Sequence, residues 1–175
     1  SGYLEVAGNK ASVVIANANG ISVNGLGFIN TDNVLLSTGA VTNWADGSFK
    51  FSDNKGDMLI AGDGLNARTP KQLEIFTNNL QVDKSEVYNN ELHISADGLM
   101  QNTGKIAAIE NMQINAGALK NSSLGYIEAQ KNLTATVSGD VEQDKATLKA
   151  GEALKVSAAK LSNTNNSLIS AGNDA

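Results

Sequence analysis

The chain has 175 residues, 13 basic and 18 acidic side chains and a formal charge of −5. With a single arginine, a single histidine and that negative balance, the cationic footprint of a nucleic-acid-binding protein is missing, and no nucleic-acid partner is expected. The absence of cysteine excludes a disulfide framework, a thiolate zinc site and a cysteine nucleophile, while an apolar fraction of 41% is too high for a disordered chain.

Taken in chain order, the first residues, Ser1-Gly2-Tyr3-Leu4-Glu5-Val6, lack the basic and apolar regions of a signal peptide. Val13-Val14-Ile15-Ala16, Ile21-Ser22-Val23, Gly27-Phe28-Ile29, Val34-Leu35-Leu36-Ser37 and Met58-Leu59-Ile60 read as strands. Asn17-Ala18-Asn19-Gly20, Asn24-Gly25 and Asp46-Gly47 read as turns between them. The stretch from Asn43 to Asp57 is more charged and carries two of the four phenylalanines, which marks it as an excursion from the regular pattern. Gly62 to Leu73 holds Asp63-Gly64, Arg68 and the only proline, Pro70, and reads as a corner loop.

From Glu91 onward the chain repeats. Leu92, Met112, Leu133 and Leu154 open four similar segments at nearly equal intervals. Each segment has a second apolar point, at Leu99, Leu119, Val141 and Leu161, and a third, at Ile106, Ile127, Leu148 and Ile169. Apolar and polar residues alternate over three to five positions and then meet an Asn, Gly or Ser cluster, which is strand periodicity with turn punctuation. A period of about 20 residues is the mark of a repeat architecture. A leucine-rich repeat shares this period but needs a helical or 3₁₀ side that asparagine disfavours. The fold class that follows is all-β: a right-handed parallel β-helix with coils of about 20 residues and short extra-helical loops. One coil alone cannot repay the entropy of ordering its backbone, so its persistence depends on the coils above and below. Asparagines suit the left-handed turns between strands, and stacked asparagines are expected to bond to one another along the turns. No flexible linker or second domain is apparent, so residues 1–175 form a single β-helix.

Residues 3–39 carry a specific likeness. Tyr3-Leu4-Glu5-Val6-Ala7-Gly8, then Asn17-Ala18-Asn19-Gly20-Ile21, Gly27-Phe28-Ile29-Asn30-Thr31 and Leu36-Ser37-Thr38-Gly39, resemble the secretion domain of bacterial two-partner secretion exoproteins. That family includes filamentous haemagglutinin, haemolysins and contact-dependent growth-inhibition exoproteins. The likeness extends to about residue 80, so that 1–80 resembles the secretion domain and 81–175 haemagglutinin-type repeats. Ala18 replaces the proline usual in the family's Asn-Pro-Asn-Gly-Ile motif, and Val23 and Leu26 stand where many relatives have a Cys-x-x-Cys pair. The family also has a capping segment ahead of the position of Tyr3. The chain reads as an internal fragment of a longer fibre.

The resemblance implies a non-catalytic segment of a secreted surface protein of a Gram-negative bacterium, exported through an outer-membrane transporter. Adhesin, haemolysin and toxin-stalk roles share this part, and host or bacterial receptors would be bound by regions outside it. A secretion or folding motif is implied at Asn17, Asn19, Gly20, Ile21, Asn24, Gly25, Gly27, Phe28 and Asn30, with no cofactor or metal. Substitutions at Asn19 and Gly20 are expected to act through folding, with direct contact to the transporter as the alternative.

The remaining candidates are weaker. His93, between Leu92 and Ile94, belongs on the outward side of a strand, and Ser95 and Asp97 have no reason to converge on it. Asp140, Glu142 and Asp144 form the densest acidic group, a solvated face rather than a calcium site. Arg68, close to Asp63, reads as a corner salt bridge or a loop clamp. Asn121, Asn132 and Asn165 fit the N-glycosylation triplet, a frequent accident in an asparagine-rich chain. Parallel β-helices also include polysaccharide-cleaving enzymes, but the acidic residues here are scattered.

Overall fold

A computed structural model describes residues 2–43, 50–51 and 56–172. Its strands are β1 (Gly2–Glu5), β2 (Ala11–Ala16), β3 (Ile21–Ile29), β4 (Thr31–Ser37), β5 (Val41–Asn43), β6 (Lys50–Phe51), β7 (Met58–Asn66), β8 (Gln72–Thr77), β9 (Leu80–Val82) and β10 (Glu86–Asn89). They continue as β11 (Glu91–Asn102), β12 (Lys105–Ala108), β13 (Met112–Ser122), β14 (Tyr126–Ala129), β15 (Leu133–Val137), β16 (Asp140–Asp144), β17 (Thr147–Ala150), β18 (Leu154–Ser157), β19 (Lys160–Thr164) and β20 (Leu168–Ala171). Among the described residues, every ladder other than the antiparallel pair β5–β6 is parallel. The strands stack in three ladders, one per side of a parallel β-solenoid, as the repeat period required.

The first ladder runs β2–β4–β8–β11–β13–β15–β18. It superimposes Val13, Val34, Leu73, Leu92, Met112, Leu133 and Leu154 in one column, and Ile15, Leu36, Ile75, Ile94, Ile114, Ala135 and Val156 in the next. Successive members of the first column are close to one coil length apart, except that the chain takes nearly twice as long to pass from Val34 to Leu73. The coils, read as regular after Leu73 and less regular before it, thus keep one register back to Val13. The long interval contains the excursion. Within it, Val41–Asn43 and Lys50–Phe51 form the antiparallel pair, so the departure begins before Asn43; Asp46-Gly47 lies outside the described residues.

Alternation decides which side chains enter the core. Leu92, Ile94, Met100, Ile106, Ile114, Leu133 and Leu148 are all buried, with outward-facing polar residues between them. This corrects one reading of the repeat. The second column runs through Leu80, Met100, Leu119, Val141 and Leu161, and Leu99 instead opposes Ala118 and is 38% exposed. Between Ala96 and Leu99, β11 has one residue more than β13, so the inward parity of Leu92, Ile94 and Ala96 carries on to Met100, whereas in β13 it passes from Ala116 to Leu119.

Several expected turns are corners inside continuous strands. β3 passes through Asn24-Gly25, with Gly25 at φ +69° and a register shift against β7. β7 likewise continues through Gly62 and Gly64 to Asn66, so the loop expected from Gly62 to Leu73 is confined to residues 67–71. Bending without breaking the ladder keeps the backbone N–H and C=O groups paired at the corners. Left-handed conformations fall on Asn30, Asn165 and Asn166 as expected, but also on Lys84, Ser123, Leu124 and Lys145.

The asparagine ladder exists, and its buried part lies inside the solenoid. Asn102 Nδ2 donates to Asn121 Oδ1 at 2.8 Å, and Asn121 Nδ2 donates to Gln143 Oε1 at 3.0 Å. These three residues are 0% exposed and continue a column that begins with Val23, Ile60 and Val82. Asn121 is therefore withdrawn from any glycosylation enzyme, while Asn132 and Asn165 are exposed. Outside, Lys71–Asp32, Lys120–Glu142, Lys149–Glu128 and Lys131–Glu110 pair across coils. Such exposed pairs contribute at most about 1 kcal/mol each.

Candidate functional site

Asn17-Ala18-Asn19-Gly20 closes as a β-turn at a corner between the first two ladders. The Gly20 N–H donates to the Asn17 carbonyl at 3.0 Å, and the Asn19 N–H donates to Asn17 Oδ1 at 3.1 Å. The Asn17 N–H donates to the Ser37 carbonyl of the next coil at 2.9 Å. Gly20 has φ +114°, and a Cβ there would stand 2.9 Å from the Asp57 carbonyl oxygen, which also accepts the Ile21 N–H at 3.1 Å. From the other side, a Cβ on Gly56 would meet the Gly20 nitrogen at 2.5 Å. The turn thus packs, backbone on backbone, against the point where the excursion rejoins the solenoid.

Hydrogen bonds continue from this corner through the next coils. Asp57 Oδ1 accepts Asn78 Nδ2 at 3.0 Å and Asn79 Nδ2 at 2.9 Å, and Asn79 Oδ1 accepts the Leu99 N–H at 2.7 Å. A groove of about 430 Å³ lies beside the turn, lined by Asn19, Asp57, Leu59, Asn79, Gln81 and Leu99. The Asn19 side chain is exposed there and has no hydrogen-bond partner among the described residues. Sequence reasoning missed Gly56, Asp57 and Asn79; their positions about one coil apart were the available signal.

The second motif secures the first strand. Gly27 is covered by the Tyr3 ring, whose Cε1 and Cδ1 would collide with a Cβ at that position. Phe28 is 1% exposed in the core, and its carbonyl accepts the Thr69 hydroxyl at 2.7 Å. Asn30, at φ +57°, donates from Nδ2 to the Val6 and Gly8 carbonyls, both at 2.7 Å. Asn24 Oδ1 accepts the Asp63 N–H at 3.1 Å across the corner of β3 and β7. Ile21 packs partly buried against the core beneath a hollow of about 510 Å³, which Gly25 also lines. Ser37 and Thr38 of the third match are 0% exposed, and Thr38 Oγ1 donates to Thr77 Oγ1 at 3.3 Å.

The other candidates are placed as follows. His93 faces outward, its Nδ1 lying 3.1 Å from Gln72 Nε2 one coil away. Glu142 faces Lys120, and Asp144 Oδ1 accepts Asn165 Nδ2 at 2.6 Å. Among the described residues, no group of three His, Cys, Asp or Glu is arranged to hold a metal ion. Arg68 does not pair with Asp63; its guanidinium lies 4.1 Å from the centroid of the Tyr88 ring. Burial, followed by the hydrogen bond with Glu86, raises the Tyr88 phenol above the usual tyrosine range.

Three stacked ladders, a closed corner turn and a covered first strand define a parallel β-solenoid organised around its first coils. Residues 1–174 match the family model of the TPS secretion domain, and the chain belongs to that family. It is thus part of a secreted exoprotein of the two-partner route. It is 36% identical to Toxin CdiA of Yersinia pestis over 95 residues, which is 54% of this chain and 3% of that protein. It is 32% identical to Toxin CdiA of Escherichia coli over 142 residues, 79% of this chain and 4% of the relative. The crystal structure of the filamentous hemagglutinin secretion domain superimposes with a TM-score of 0.70 at 20% identity, covering 98% of this chain and 70% of that one. The chain therefore spans only a small part of the length of the curated relatives it matches.

Proposed function

We propose that this segment leads the export of a large, CdiA-like or filamentous-haemagglutinin-like surface protein through an outer-membrane transporter, then serves as the base of its stalk. The segment itself is non-catalytic in this reading. Nuclease and toxin names belong to relatives of which the matched region is 3–4%, and an activity of that kind would reside elsewhere in the full-length protein. A toxin-delivery stalk is favoured over a plain adhesin by the CdiA relatives.

Within the motif we assign two roles. Gly20, Gly27, Phe28, Asn24 and Asn30 order the first coils, because their backbone or side-chain groups are used in closing them. Asn17 belongs with these, since its side chain forms the turn. Asn19 serves recognition by the transporter, and the observation that carries this is its exposed side chain beside the groove, without a hydrogen-bond partner among the described residues. Ile21 and Gly25 complete the corner geometry that presents it.

The test pairs export with denaturation. Gly20→Ala, strained at φ +114° and crowded by Asp57, should lose export together with about 1–3 kcal/mol of stability. Asn19→Ala should lose export while its urea midpoint stays at the parent value. An Asn19→Ala chain exported at the parent rate would refute the recognition role.

A further inference from the structure

The chain contains 22 asparagines, and only two, Asn19 and Asn24, precede glycine; both lie in the export motif. Asn-Gly is the pairing in which a following side chain hinders least the attack of the next backbone nitrogen on the asparagine amide. The two sites differ in what surrounds the reacting atoms. At the first, the Gly20 N–H is already committed to the Asn17 carbonyl at 3.0 Å, and the nitrogen is hemmed in by Gly56. That bond opposes loss of the proton that the nitrogen must shed before it attacks.

At the second, Asn24 is exposed at a corner where the β3–β7 register shifts; its amide lies against the Cβ-less Gly62, and Gly25 has no Cβ to shield its own nitrogen. The Asp63 N–H points at Asn24 Oδ1 from 3.1 Å. That oxygen takes up negative charge when the amide carbon becomes tetrahedral, so the donor stabilises the charge as it develops. We propose that Asn24 is a site of spontaneous deamidation in the folded protein, and that Asn19 is protected by its turn.

The step is balanced without any redox partner. Hydroxide removes the Gly25 amide proton, the nitrogen forms a bond to Asn24 Cγ, and the Cγ–Nδ2 bond breaks with release of ammonia. Water then opens the succinimide at either carbonyl, giving aspartate or isoaspartate at position 24. Aspartate keeps an oxygen acceptor for the Asp63 N–H. Isoaspartate adds a methylene to the main chain between Asn24 and Leu26, where β3 must re-enter register opposite Leu65. Only this product should loosen the first coils.

The experiment incubates the folded full chain in mildly alkaline buffer. Peptide mapping by mass spectrometry follows the exchange of amide for acid, and an isoaspartate-specific methyltransferase reports the rearranged product. The Asn24 peptide should convert at a rate that rises with pH and well ahead of the Asn19 peptide. Asn24→Gln should abolish conversion at that position. The free peptide of residues 21–26 provides the reference rate. If the folded chain leaves Asn24 intact while that peptide converts, or if Asn19 converts first, the proposal is overturned. Asn24→Asp should unfold like the fresh parent, whereas isoaspartate-containing chain should unfold at lower urea; equal midpoints would refute the register argument.

Discussion

Leu99 and Met100 are neighbours of similar size and apolar character, yet one faces solvent and the other is 0% exposed. Copying the Met112–Leu119 interval onto this coil favours Leu99; the extra residue of β11 after Ala96 favours Met100, whose column includes Leu80 and Leu119. Met100→Ala should therefore cost about 2–5 kcal/mol. Leu99→Ala should cost no more than about 0.5 kcal/mol. Urea unfolding of the two variants measures both, and equal losses would contradict the column assignment. The same scale explains why Arg68 does not form the salt bridge: Asp63 is close to it in sequence, but Tyr88 lies beneath the guanidinium because β10 stacks on β7. It also explains why Asn102, Asn121 and Gln143 escaped notice as core residues. A polar side chain is legible as buried only when its partner is known, and each of these finds its partner one coil further along the chain.

Between the strands, the coils approach most closely at their corners. A Cβ on Gly104 would collide with the Ser85 carbonyl oxygen, which accepts the Lys105 N–H at 2.8 Å. The Gly104 carbonyl in turn accepts the Tyr126 N–H at 2.8 Å. Gly104→Ala must push apart backbones that are bonded on both sides, at a cost of about 1–3 kcal/mol. Hydrogen exchange should then quicken in β10, β12 and β14 rather than locally at residue 104; a purely local effect would argue against coupling through the ladder. Strand existence was legible here from alternation, because period two and turn residues are local properties. Corners were read as breaks, since Asn-Gly and Asp-Gly punctuate hairpins and solenoid corners alike. Parallel neighbours on either side are what let β3 and β7 bend and remain paired.

The molecule as a whole behaves as a stack in which each coil owes its order to two neighbours. Removing residues 112–132 excises one whole coil and brings Leu133 beneath Leu92, with Gln143 facing Asn102. This deletion should fold, with a smaller urea m-value and a lower midpoint, because less surface is buried. Removing only residues 112–121 places corners against strands and should abolish cooperative unfolding. A folded, cooperative protein after the shorter deletion would refute the columnar account.

The amino-acid sequence by itself determined the strand content and the coil length, because alternation and the recurrence of apolar points are written in near neighbours. It determined the outward placement of His93 for the same reason. Tertiary structure alone decided which strands of the first coils register with which across the excursion, and that the Asn17–Gly20 turn closes against Asp57. Each of these depends on which coil lies next to which, and that relation exists only after the chain has wound upon itself.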